Sequence, residues 1–159
     1  QGENMRHQQR FREAAAHYEE ALELYKNLGH RYATTAIPLN LGHATYGMGD
    51  LDLAEAYYRD GIASALQIKD TMMMLEGLAG LAAIFNRRDD PVRAATLLGL
   101  VLRHPTTSAD TKVLIAQPVA DEIRHTIGDF QFAQAYERLA VEDAERIAAS
   151  LLGDDTARQ

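Results

Sequence analysis

The sequence predicts an all-α fold, a right-handed superhelical solenoid of antiparallel helix pairs. One observation is a repeat, because Ala14, Ala54 and Ala94 recur at a constant interval of 40 residues. Another is an order of turn, small residue and aromatic residue within the segment 41–66. The third is composition, since the chain has only four prolines and is rich in Ala and Leu, which favour helix. Small residues at a fixed interval let successive helix pairs pack closely.

The segment 41–66 resembles a tetratricopeptide repeat. Its order is a Leu-Gly pair, a turn, a small residue and an aromatic residue, here Leu41-Gly42, Gly49-Asp50, Ala54 and Tyr58. This order is typical of that repeat, which contains one helix pair per unit. We expect the two helices of the pair to cross at Gly42 and Ala54, and Tyr58 to fill the gap between neighbouring pairs.

Further positions keep the same register. At intervals of 40 residues the aligned sets are Phe11, Leu51 and Pro91, then Tyr18, Tyr58 and Leu98, then Leu41-Gly42 with Leu81-Ala82. A fourth unit follows at an interval of 79, where residues 128–136 track residues 49–57. Register kept over three units favours a repeat over the alternative, an irregular helical bundle.

Local signals place the boundaries of the first four predicted helices, 11–28, 30–48, 51–68 and 71–86. Gly29 is expected to end the first helix as a left-handed cap. Pro38 is expected to bend the second helix or to mark its true start. Gly49-Asp50 predicts a turn in which Asp50 is the N-cap of the third helix, and Asp70 is the N-cap of the fourth.

The second half predicts helices at 91–103, 111–127, 129–139 and 141–152. An acidic N-cap followed by Pro91 is a strong start signal, and His104-Pro105 ends that helix. Residues 106–110 form the longest polar connection, and Pro118 predicts a break in the following helix. The last helix is amphipathic, and we expect it to cap the stack because terminal repeats must cover their apolar end.

The predicted organisation is a single helical-repeat domain over residues 1–153 and a disordered tail over 154–159. Residues 1–9 look like a helix already under way, with Gly2 at the position of a small residue. The sequence therefore opens within a repeat, which indicates a fragment of a longer chain.

Composition excludes several functional classes. Apolar residues make up 47% and charged residues 25% of the 159 residues, as expected for a soluble globular domain. A net charge of −7 argues against direct nucleic-acid binding, which requires clustered Lys and Arg. No apolar run approaches the roughly 20 residues of a membrane span. The absence of cysteine is compatible with a reducing compartment, and we expect a cytoplasmic protein.

The second half carries more distinctive motifs. These are LEGLAGLA at 75–82, RAATLLG at 93–99, IGDFQFA at 127–133 and LAVEDA at 139–144. They resemble the C-terminal tetratricopeptide-repeat region of large bacterial signal-transduction ATPases and transcriptional regulators, often LuxR-type. The resemblance implies the non-enzymatic sensor or scaffold tail of such a regulator. The phosphate-binding loop of those ATPases is absent from this sequence, so no nucleotide site of that kind is expected.

Nothing in the sequence predicts catalysis, a cofactor or a metal site. Neither an HExxH motif nor a GxSxG motif occurs. His17 lies near Glu13 and Glu20, and we interpret it as a surface histidine paired with glutamate rather than as a ligand. The Met72–Met74 run is interpreted as two core methionines and one exposed one, because three consecutive helical positions cannot share a face.

The first helix of each pair is expected to line a groove. By register, the second unit contributes Leu39, Asn40, His43 and Tyr46, and the third contributes Glu76, Ala79, Ala83 and Asn86. Asn40 resembles the asparagine of relatives that grip a peptide C-terminus. However, Glu76 and Gly80 stand where that clamp needs Lys and Arg, and Glu76 would repel a carboxylate.

The leading interpretation is a non-enzymatic interaction module that binds a protein, a peptide or another domain of its parent through this groove. The alternative is a sensor of a small-molecule inducer, with an apolar pocket near Asn40, His43 and Tyr46. A third possibility is homo-oligomerisation through the N-terminal edge of the repeats.

Overall fold

The computed structural model describes residues 2–153, and their side chains from Gln9 onward. In this part of the chain every regular secondary-structure element is a helix, which confirms the predicted all-α solenoid. The α-helices are α1 (Gly2–Leu28), α2 (Arg31–Met48), α3 (Leu51–Ile68), α4 (Thr71–Arg87), α5 (Pro91–Arg103), α6 (Gln117–Tyr136) and α7 (Ala144–Gly153). A π-helical turn, Thr111–Ala116, precedes α6, and a 3-10 turn, Val141–Asp143, precedes α7.

The predicted caps set the boundaries of the central helices. The side chain of Asp50 accepts a hydrogen bond from the amide of Leu53 at 3.1 Å. Asp70 accepts one from the amide of Met73 at 3.0 Å, and Asp90 repeats the arrangement at the start of α5. Each cap satisfies an amide that has no partner inside its helix.

The first helix corrects one expectation. The prediction places a boundary near Gln9, but α1 continues without a break from Gly2 to Leu28. The chain has neither Gly nor Pro between Gly2 and Gly29, so nothing interrupts the helix locally. Pro38 lies inside α2, whose start is Arg31, so it does not mark the start of that helix.

The predicted boundary between the helices 111–127 and 129–139 is confirmed at Gly128, whereas the predicted break at Pro118 is absent. Pro118 lies in the first turn of α6, which continues directly from the π-helical turn because residues 116 and 117 keep helical φ and ψ angles. Gly128 has φ 82° and ψ 160°, a conformation that is essentially restricted to glycine. It divides α6 into two helical arms, and the second arm ends at Tyr136, three residues before the predicted end. The predicted tail, 154–159, lies outside the described residues.

Glycines let the helix pairs approach closely. A Cβ atom on Gly42 would lie 2.7 Å from the Tyr58 ring, and one on Gly80 would lie 2.4 Å from it. Leu39 packs against two further glycines: a Cβ atom on Gly61 would lie 2.4 Å from its side chain, and one on Gly77 would lie 3.2 Å from it. Tyr58 is 1% exposed, so its ring fills the space between α2, α3 and α4 as predicted.

Helix α4 is the centre of the core. Twelve of its residues are buried, and it packs against α2, α3, α5, α6, α7 and the π-helical turn. Met73 and Met74 are buried, whereas Met72 is 48% exposed, in agreement with the interpretation of two core methionines. No helix of the described residues is long and apolar enough to cross a membrane.

The end of the described chain folds back on the stack. Helix α7 lies against α3 and α4, and the 3-10 turn before it lies against α5. Its Ala144 and Ala148 are buried in the main core. Arg59 of α3 donates a hydrogen bond to the carbonyl oxygen of Leu151 at 2.5 Å.

Two contacts join elements that are distant in sequence. Tyr57 of α3 donates a hydrogen bond from its hydroxyl group to Glu19 of α1 at 2.8 Å. Arg103 of α5 donates to the carbonyl oxygens of Tyr136 and Leu139 at 2.9 and 2.6 Å, which satisfies the C-terminal end of α6.

We expect Gly99→Ala to destabilise the fold, because its Cβ would lie 1.9 Å from the carbonyl oxygen of Tyr136. Overpacking typically costs about 1–3 kcal/mol, and here the neighbour is backbone that cannot rotate away. Gly153→Ala is the matched control, since nothing lies within 4 Å of its Cβ. Urea unfolding measures both free energies, and equal values for the two variants would contradict the close approach of α5 and α6.

We expect Tyr57 to contribute to an alkaline loss of stability. Burial, and then the hydrogen bond with Glu19, raise its pKa from 10.0 to about 12. Above pH 10 the unfolded chain releases this proton while the folded chain keeps it, so the contribution is complete below pH 10 and is lost as pH rises through 12. In urea unfolding between pH 9 and 12 (about the range of the two pKa values), Tyr57→Phe is expected to lose less stability than the unmodified chain. The control is Tyr32→Phe at an exposed position, and identical pH profiles for Tyr57→Phe and the unmodified chain would refute the expectation.

Candidate functional site

The structure sorts the predicted groove residues into two groups. Leu39 and Ala83 are 1% and 4% exposed, and Ala79 is also buried, so they belong to the core and do not line an accessible surface. The partly exposed residues of α2 and α4 form a single candidate surface, the A-face, which consists of Asn40, His43, Tyr46, Glu76 and Asn86. Leu39 is buried because glycines on α3 and α4 leave space for its side chain.

The A-face is built around a pair of residues from the two helices. The Nε2 atom of His43 lies 2.9 Å from Oε1 of Glu76, and their side chains are 31% and 29% exposed. This contact joins α2 to α4 at the surface. The sequence places both residues on one groove, but it does not predict that they contact each other.

Tyr58 holds the His43 ring from the core. Its hydroxyl oxygen lies 2.8 Å from Nδ1 of His43, and the two rings pack edge to face at 5.3 Å. In the neutral tautomer with a proton on Nε2, His43 donates to Glu76 and accepts from Tyr58, so all three groups are satisfied. Burial raises the pKa of Tyr58, so its hydroxyl group remains a donor.

A second contact extends the A-face toward the end of α4. The guanidinium group of Arg87 lies 5.6 Å from the centre of the Tyr46 ring, within the range of a cation–π interaction. Arg87 is exposed and was not among the predicted groove residues. Its position in the last turn of α4 is the sequence signal that could have identified it.

The A-face does not resemble a site for a peptide carboxylate. Gly80 is covered by the Tyr58 ring, and Glu76 presents its own carboxylate beside His43. Neither position therefore supplies the Lys or Arg that such a clamp needs.

Three surface cavities lie on other parts of the described molecule. One cavity of about 240 Å³ is lined by α2 and α3, and an adjoining one of about 260 Å³ is lined by α1, α2 and α3; both include Thr34 and Ser64. A third, of about 460 Å³, lies at the kink of α6 and is lined by Arg124 and Phe132. None of these three is lined by Asn40, His43 or Tyr46, around which the small-molecule alternative places its pocket.

Charged side chains away from the A-face act within the fold. Burial would raise the pKa of Glu55, but hydrogen bonds from Arg88 and Arg59 hold it below its usual value. Through Arg59 this cluster also reaches the end of α7. Among the described residues, no group of three His, Asp or Glu side chains is arranged to hold a metal ion.

We expect His43 and Tyr58 to be energetically coupled. His43→Ala leaves the buried Tyr58 hydroxyl without its acceptor, which costs about 1–3 kcal/mol. Tyr58→Phe is therefore expected to cost less in the His43→Ala background than in the unmodified chain. Urea unfolding of the two single variants and the double variant measures the coupling, and strictly additive costs would show that the hydrogen bond contributes nothing.

Residues 1–67 match the family model of the tetratricopeptide repeat, and this stretch is less than half of the chain. Neither a curated protein nor a solved structure matches the sequence. Beyond residue 67 the repeat architecture rests on the packing of α4 to α6 described above. The N-terminal part of the chain is therefore similar to the tetratricopeptide-repeat family.

Proposed function

We propose that this domain is a non-enzymatic module that binds a protein or a peptide on the A-face. The observation that carries the proposal is the His43–Glu76 pair, which presents polar groups from two helices at a partly exposed position. Tetratricopeptide repeats typically mediate protein–protein interactions, and the repeat match includes α2.

The A-face is preorganised for binding. His43 is held between Tyr58 and Glu76 by hydrogen bonds of 2.8 and 2.9 Å, so its ring has little rotational freedom to lose. Side chains that are already ordered reduce the entropic cost of association. Tyr46 adds an aromatic surface of the type that is enriched at interfaces.

The chemistry of the A-face favours a particular kind of ligand. The Glu76 carboxylate uses one oxygen for His43 and can accept further hydrogen bonds, which suits a Lys or Arg side chain of a partner. The amide groups of Asn40 and Asn86 can pair with an extended backbone. We therefore propose a peptide segment with a basic residue opposite Glu76.

We further propose that the parent protein is a bacterial signal-transduction ATPase or transcriptional regulator, in the cytoplasm, and that the partner is either another protein or another domain of that parent. The motifs in the second half support this proposal. Within the fold, Gly99 of the RAATLLG motif packs closely against the backbone of Tyr136 at the end of α6.

Selection from a displayed random peptide library tests the proposed function. We expect enriched peptides to carry a basic residue and to lose at least about tenfold in affinity, or about 1.4 kcal/mol, for the Glu76→Lys variant. The matched control is Glu20→Lys, the same charge change at an exposed position on α1, which should leave binding intact. Peptides that bind both variants equally well, or a library that yields no binder, would argue against the A-face.

A further inference from the structure

Helix α7 occupies a groove that the repeat architecture creates. It lies on α3 and α4, and the turn that precedes it lies on α5. Ala144 and Ala148, four residues apart, are its buried positions. Glu145 lines a small cavity at the junction of α3 and α4, together with Leu66, Lys69, Thr71 and Met74. The surface of α3 and α4 thus accepts a short helix with small residues on one face, and the turn before this helix reaches α5.

The preceding repeat has an equivalent groove, which lies between α1 and α3 with α2 at its base. An open cavity of about 260 Å³ lies in this α1–α3 groove, and a second one of about 240 Å³ continues from it between α2 and α3. At the repeat interval of 40 residues, the residues that line the α1–α3 groove align with the residues on which α7 packs. Lys26 corresponds to Leu66, Arg31 to Thr71, and Thr34 to Met74.

The α1–α3 groove differs from the filled one in its chemistry. The apolar Leu66 and Met74 are replaced by Lys26 and Thr34, and Asp60 and Ser64 also line the groove. Lys26 is paired with Glu23 at 3.3 Å. A polar groove of this kind is compatible with exposure to solvent, and it suits a partner that binds and leaves.

Charge complementarity indicates how a partner helix would lie. Glu145 of α7 lines a small cavity together with Lys69 and Thr71, and the residue that corresponds to Thr71 in the α1–α3 groove is the basic Arg31. An acidic residue at the position of Glu145 would therefore face a cation. The hydrogen bond between Tyr57 and Glu19 joins α1 to α3 beyond this region and limits the helix to a few turns.

We propose that the α1–α3 groove binds a short amphipathic helix of a partner protein, with alanines four residues apart and an acidic residue next to the first of them. The partner helix has the same pattern of alanines and acidic residue as α7, and it binds the equivalent groove of the preceding repeat. The surface is separate from the A-face, so the domain has two binding faces.

A peptide with the sequence of residues 141–153 is the probe, with a lactam bridge joining positions 146 and 150, both exposed on α7. The bridge is needed because isolated helices shorter than about 12–15 residues are marginal in water. The peptide carries a fluorophore at its N-terminus and is titrated with the full chain. We expect saturable binding, with NMR shift changes at the amides of Thr34, Ala63 and Ser64.

Three variants of the chain and one variant of the peptide make the test specific. Arg31→Glu and Ser64→Arg are expected to weaken binding at least about tenfold, through charge reversal and through occlusion of the groove. A peptide with Glu145→Lys is expected to recover affinity for Arg31→Glu, which a merely unfolded variant would not show. Glu76→Lys on the A-face is the control and should bind as well as the unmodified chain, so failure of the A-face proposal leaves this result unaffected.

Other outcomes would overturn the proposal. One is the absence of saturable binding, and another is equal affinity for the unmodified chain, Arg31→Glu and Ser64→Arg. Shift changes confined to Leu66, Thr71 and Met74 would show that the peptide only displaces α7 from its own groove. Dimers in sedimentation that are lost on Ala148→Arg would instead identify the occupant as α7 of a second copy.

Discussion

The ring of Tyr58 in the slot formed by Gly42 and Gly80 is the contact on which the rest of the structure depends. A methyl group on either glycine would lie within 2.7 Å of the ring. The slot brings α2, α3 and α4 close enough to bury α4 on nearly every side, and α4 in turn is the floor on which α5, α6 and α7 pack. Side-chain size at a few repeat positions therefore controls the whole arrangement.

The same residue connects the core to the candidate surface. The hydroxyl group of Tyr58 holds His43, and His43 contacts Glu76 across the α2–α4 boundary. The polar tip of a core aromatic residue thus orients the A-face. On the other side of the repeats, the groove that α7 fills over α4 stays open over α2, where Lys26 and Thr34 replace Leu66 and Met74. The two faces differ in shape and charge, which allows two different kinds of partner.

Local signals predicted much of this fold, and contacts between distant residues account for the rest. The caps at Asp50, Asp70 and Asp90 and the position of Tyr58 follow from neighbouring residues or from the repeat interval. The burial of Leu39 was not predicted, because it depends on glycines that lie on two other helices. Neither the contact of Gly99 with Tyr136 nor the return of α7 onto α3 has a local signature. Of the candidate site, the faces of α2 and α4 were predicted, whereas the pairing of His43 with Glu76 and the contact of Arg87 with Tyr46 depend on how the helices pack.

A double-mutant cycle between Gly80 and Tyr58 measures the central contact directly. Gly80→Ala should destabilise the unmodified chain by about 1–3 kcal/mol through overpacking. In a Tyr58→Leu background the ring is gone, and the same change should be neutral or stabilising, because Ala favours a helix over Gly by about 1 kcal/mol. The account predicts a coupling free energy of at least about 1 kcal/mol from urea unfolding of the four proteins. Equal effects of Gly80→Ala in the two backgrounds would contradict it.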